Sequence, residues 1–138
     1  MATKLLFRSK FLTVYRMEIG TKKYTSFNWF NMSAPLEHVE AAHDWALKDA
    51  KENNISTYVA RSEDATGVLR PDVITWWGGW IPKMKAGGIN KIITVAKPVD
   101  DKGRPLSEIN KRSWQKSVNY GGIENVNIEH PGDVLKNI

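Results

Sequence analysis

Two histidines five residues apart, His38 and His43, lie among Glu37, Glu40 and Asp44 in the stretch LEHVEAAHDWALKDA. Imidazoles and carboxylates are the groups of metal centres and of acid–base catalysis. On a helix a shared metal needs its ligands on one face, as the i, i+4 pair of HExxH provides, and a separation of five turns the second histidine about 140° from the first. The spacing argues against a metal site, and none is expected. His43 falls among Val39, Ala46, Leu47 and Ala50 on the apolar side of the same stretch, where a hydrogen-bonded core histidine is the expected role. His38 and Trp45 fall on the opposite side. A tryptophan there marks a partner contact or a surface covered by another segment, because aromatic residues are enriched at such contacts.

Other chemistries have less to work with. The chain has no cysteine, which excludes disulfides, thiolate metal sites and a cysteine nucleophile. GxGxxG, GxxxxGK[ST] and GxSxG are all missing, so the phosphate-binding and nucleophile-elbow motifs are missing with them. Asp100-Asp101-Lys102-Gly103 lacks the ligand spacing of a calcium loop and reads as a turn. Serine, threonine and tyrosine hydroxyls are scattered through the chain with no base placed beside them. No catalytic residue and no cofactor is nominated, and the chain is expected not to be an enzyme.

The elements that must carry these residues belong to one domain of 138 residues. Hydrophobic residues at 41% and charged residues at 25% suit a folded soluble chain and not a disordered one. The net charge is +5, but lysines and arginines are interrupted by acids. The densest basic group, from Lys102 to Lys116, reads as a solvated face without a groove-reading motif, so nucleic-acid binding is not expected. Leu5, Leu6 and Phe7 make too short an apolar run for a leader, and no run reaches the length of a membrane span. A cytoplasmic protein is the expectation.

Strand formers dominate 4–8, 11–19 and 22–30, and Gly20-Thr21 between the last two suits a type II′ hairpin turn. Alternation places Tyr24, Ser26 and Asn28 on one face and Thr25, Phe27 and Trp29 on the other. Ser33 is a candidate cap and Pro35 a first-turn proline for a helix to about Asn53. Strands at 55–61, 91–96 and 124–128 then alternate with helices at 71–86, about 105–118 and 131–137. Such alternation favours right-handed crossovers and a largely parallel sheet. The expected fold class is α/β: a single-domain mixed sheet that opens with an antiparallel hairpin and carries its helices mainly on one face.

The segment ITWWGGWIPKMKAGG at 74–88 concentrates three tryptophans, two glycine pairs and a proline. On a helical wheel Val73, Trp76, Trp77, Trp80, Ile81 and Met84 share one face, with Pro82, Lys85 and Ala86 opposite. Packing against the sheet is the plainer reading. A ligand pocket or interface lined by Trp76, Trp77, Trp80, Met84 and Trp114 is the other. Gly87-Gly88 suits a left-handed helix end.

The stretch WWGGWIPKMKAGGINKIITV at 76–95 and the close GGIENVNIEHPGDVLKNI at 121–138, after a β-hairpin start, resemble the small bacterial STAS-like domains (SpoIIAA-like, STAS/SEC14-type) found notably in Bacteroidetes. The resemblance covers nearly the whole chain. It implies a sheet with helices mainly on one side and a regulatory or protein-interaction role, with a homodimer expected, or else the binding of a lipid or other small apolar ligand. In the anti-sigma-factor antagonists it further implies a phosphorylated serine or threonine in Asp-x-Ser/Thr-Gly. Asp64-Ala65-Thr66-Gly67 answers to that motif, Thr66 being the acceptor; a polar turn completed by Gly67 is the plainer reading of the same residues.

Overall fold

The computed structural model describes residues 2–95 and 121–138, so the expected helix at 105–118, the basic group at 102–116, the turn at Asp100 and Trp114 lie outside the described residues. Six strands form one sheet: β1 (Ala2–Arg8), β2 (Leu12–Ile19), β3 (Lys22–Trp29), β4 (Thr57–Arg61), β5 (Lys91–Val95) and β6 (Glu124–Ile128). Their order across the sheet is their order in the chain. The first three pair antiparallel, and the pairs β3–β4, β4–β5 and β5–β6 are parallel. The fold is α/β with a mixed sheet, as its alternation predicts.

Gly20 has φ +62° and Thr21 does not share the positive φ, which is the pattern of a type II′ turn and matches the twist of the strands it joins. The register of β1 on β2 shifts between Leu5 and Phe7. This bulge allows the consecutive residues Leu6 and Phe7 both to pack against the main core.

Helix α1 (Leu36–Asn53) joins β3 to β4, and helix α2 (Pro71–Ala86) joins β4 to β5. Both crossovers step to the next strand in the same direction, so both helices fall on one face. Beneath them lie Leu12, Val14, Phe27, Trp29, Tyr58 and Ile92, with Val39, Ala46, Leu47, Trp77, Ile81 and Met84 facing down from the helices. A smaller cluster of Tyr24, Val59, Ile93, Val95 and Val134 occupies the other face. There the chain's last turns rest on the sheet, and the Lys22 and Lys91 ammoniums donate to the carbonyls of Leu135 and Asn137 at 2.6 Å each.

Two local expectations need correction, and one holds in detail. Ser33 does not cap α1: Pro35 occupies the cap position, and the Ser33 backbone and hydroxyl both donate to Asn31 Oδ1 at 2.9 and 2.5 Å. The end of α2 falls where expected, after Ala86: Gly87 remains right-handed at φ −79° and Gly88 supplies the left-handed residue at φ +99°. Gly87 also sits where the helices touch: a Cβ there would stand 2.6 Å from Leu47 Cδ1, so that buried side chain would have to shift. Residues 131–137 form two short 3-10 turns, Pro131–Asp133 and Leu135–Asn137, in place of one helix.

Candidate functional site

The aromatic ground between α1 and α2 is where the sequence concentrates its unusual residues. Trp77 and Met84 are buried beneath α2, Trp80 nearly so, and Trp76 is half-buried. Trp76 and Trp80, four apart and therefore one above the other on the helix, stack at 5.2 Å. The Lys83 ammonium lies 5.3 Å from the Trp80 ring centre. Trp77, Trp80 and Met84 belong to the main core, and Trp76 packs against it.

His43 sits at the centre of this packing. Its ring stacks on Phe27 at 4.7 Å and meets the edges of Trp76 and Trp80 at 5.3 and 6.5 Å. Nδ1 lies 2.8 Å from the Val39 carbonyl, and Trp77 Nε1 donates to Nε2 at 3.2 Å. One nitrogen must donate and the other must accept, so the ring is the neutral Nδ1–H tautomer. Burial pushes its pKa down to about 4, against a smaller upward pull from the Val39 bond. With both nitrogens committed inside the core, His43 has the structural role that its position on the helical wheel indicates.

Two open grooves flank the tryptophans. One, of about 490 Å3, runs along the outer side of α2 past Gly78, Ile81, Pro82, Lys85, Ala86 and Gly121. The other, of about 410 Å3, lies against Asp44, Leu47, Lys48, Lys51, Glu52 and Trp80. Trp80 is the aromatic residue that reaches a groove wall; Trp76, Trp77 and Met84 line neither.

His38 and Trp45 occupy the outer side of α1, two turns apart. Trp45 is 53% exposed, with the Lys48 ammonium 5.6 Å from its ring centre. Trp29, Trp77 and Trp80 are buried and Trp76 half-buried, so among the described tryptophans Trp45 alone stands in solvent. His38 is half-buried and meets the Phe11 ring edge-on at 5.1 Å.

Asp64, Thr66 and Gly67 fall in the loop from β4 to α2. Thr66 is exposed, but its backbone is tied down: its N–H donates to the Phe30 carbonyl at 3.1 Å and its carbonyl accepts from Met32 at 2.7 Å. Asn31 and Thr66 thus form an isolated parallel bridge beyond the ends of β3 and β4. Gly67, at φ +75°, would bring a Cβ to 2.5 Å from Asn31 Oδ1. Thr66 precedes the cap of α2, Arg70, by four residues, so its hydroxyl is not at a helix entrance.

No cluster of three or more metal-binding side chains occurs among the described residues, and no helix among them is long and apolar enough to cross a membrane. One group of buried polar residues escapes motif reading. Arg16 Nη1 donates to Asp49 Oδ1 at 2.7 Å between β2 and α1. The signal for it is positional: Arg16 continues the inward series Leu12, Val14 on β2, and Asp49 interrupts the inward stripe Ala42, Ala46 on α1.

Compared with protein-family models, with curated proteins and with solved structures, the chain finds no match in any of the three.

Proposed function

We propose that this chain is a non-enzymatic, cytoplasmic regulatory or protein-interaction module of the STAS-like type, working through the outer face of α1, with a second copy of itself as the first partner. The observation that carries this reading is the exposure of Trp45. A tryptophan offers a large apolar ring with a polar edge, and in a monomer such a ring is ordinarily tucked away, as its neighbours in this chain are.

The sheet order supports a binding role over catalysis. In open α/β sheets the ligand crevice forms at a switch point, where successive crossovers leave to opposite faces. Here the strands run in sequential order and both described crossovers lie on one face, so their connections create no such crevice. The most thoroughly buried imidazole, His43, has both nitrogens engaged.

The test is the sedimentation behaviour of the wild-type protein beside Trp45→Glu. The expected result is a wild-type dimer that becomes a folded monomer in the variant, with its circular-dichroism spectrum unchanged and its thermal midpoint no longer dependent on protein concentration. A wild-type monomer at high micromolar concentration removes the self-association, and a dimer indifferent to Trp45 moves the contact elsewhere.

A second reading, the binding of a lipid or other small apolar ligand, is favoured by the groove against Leu47 and Trp80. Native mass spectrometry of protein purified gently from its own host separates the two: a bound small molecule supports the groove, and a bare dimer supports the interface.

A further inference from the structure

The Arg16–Asp49 pair stands above a row of side chains that crosses the sheet in register. Arg16 on β2 is opposite Thr25 on β3, and Thr25 is opposite Tyr58 on β4. The alternation of each strand sends all three toward α1 and α2, the side on which Tyr58 joins the main core. Thr25 is 0% exposed, Tyr58 3% and Asp49 8%.

Asp49 is only half satisfied. Its Oδ1 accepts from Arg16 and, at 3.2 Å, from Asn53 Nδ2. Its Oδ2, the Tyr58 hydroxyl and the Thr25 hydroxyl are buried, and none has a hydrogen-bond partner among the described residues. The Tyr58 hydroxyl is held in its protonated form first by burial and then by the Asp49 charge. An unpartnered buried polar group costs roughly 1–3 kcal/mol, and native proteins leave few of them.

We infer that an enclosed water molecule binds between β3, β4 and α1, accepting from the Tyr58 hydroxyl, donating to Asp49 Oδ2 and having Thr25 Oγ1 as its third neighbour. The donor and acceptor count selects water. Asp49 Oδ2 can only accept, whereas the two hydroxyls can each give and take, and a water has two protons to give and two lone pairs to fill. A metal cation would also meet oxygen ligands here, but the Arg16 guanidinium already neutralises Asp49 from the other side. The site lies near the start of the parallel strands and under the C-terminal half of α1, away from the strand ends where α/β proteins take up substrates. The water is therefore a fixed part of the packing that joins α1 to the sheet.

Two measurements on the intact chain test it. A high-resolution crystal structure is expected to show a well-ordered water within hydrogen-bond distance of both Asp49 Oδ2 and Tyr58 Oη. A direct Tyr58–Asp49 bond, or a dry contact, overturns the inference. A double-mutant cycle of Tyr58→Phe and Asp49→Asn is expected to show the two sites coupled by about tenfold in the unfolding equilibrium, as a water-mediated bond to a charged group should. Independent effects of the two substitutions also overturn it.

Discussion

The indole N–H of Trp77 on α2 donates to Nε2 of His43 on α1 at 3.2 Å, and this bond ties the two helices together inside the core. Its consequence for pH follows from the depressed pKa. Above pH 6.5 folded and unfolded chains both keep this imidazole neutral. As pH falls from 6.5 to about 4 the unfolded chain takes up a proton that the folded chain refuses, so stability declines through that window and levels off below it. The full decline amounts to about 3 kcal/mol at 1.36 kcal/mol per pKa unit. Urea titrations between pH 4 and 8 are expected to show this slope in the wild type and a flatter one in His43→Leu. The same slope in both proteins would assign it to other groups.

Two glycines of the second helix are expected to respond to alanine in opposite directions. A Cβ at Gly79 meets nothing within 4 Å, so Gly79→Ala should stabilise by about 0.5–1 kcal/mol through helix propensity and reduced unfolded-state freedom. Gly87→Ala drives a methyl into Leu47 Cδ1 at 2.6 Å and should cost about 1–3 kcal/mol as the helices give way. Chemical denaturation of the two variants side by side checks the ordering.

At the 62–70 loop, Gly67→Ala combines a strained φ of +75° with a clash against Asn31 Oδ1, and should destabilise by more than about 1 kcal/mol. Thr66→Glu adds charge to an exposed side chain and should leave stability within about 0.5 kcal/mol. The second variant is the useful probe of a phosphorylation switch. If it leaves oligomeric state and partner capture unchanged, and phosphoproteomics never finds modified Thr66, the switch is discarded.

Removing one member of the Arg16–Asp49 pair should be worse than removing both. The side chains are 18% and 10% exposed, so Arg16→Met leaves a largely desolvated carboxylate unpaired, at about 2–4 kcal/mol after allowance for partial solvent access. Arg16→Met with Asp49→Leu should recover much of that loss. Denaturant midpoints of the single and double variants at pH 7 decide the matter.

Where hydrophobic period and chain punctuation agreed, the fold was legible. The Gly20 turn, the alternation of Phe27 and Trp29 against Tyr24, and the α2 stripe from Val73 to Met84 each followed from a local rule that tertiary packing reinforced. Ser33 shows where such a rule loses: its hydroxyl met a nearer acceptor in Asn31, and a proline at the cap position has no side-chain oxygen to replace it. The bulge at Leu6 was illegible because it depends on register against β2. His43 was placed correctly among core residues, but its partner is 34 positions away, and nothing local in either helix joins it to Trp77. The cluster of Arg16, Thr25, Asp49 and Tyr58 spans three strands and a helix, so each residue taken singly is only a polar group on an inward face.

The sequential strand order also bears on how the chain is made. No strand waits for a later one to be inserted beside it: each hydrogen-bonds to the strand synthesised just before. The sheet can therefore be laid down in the direction of translation, beginning with the three-strand meander, whose contacts are short in sequence and quick to form. Each emerging helix then folds onto a surface that already exists.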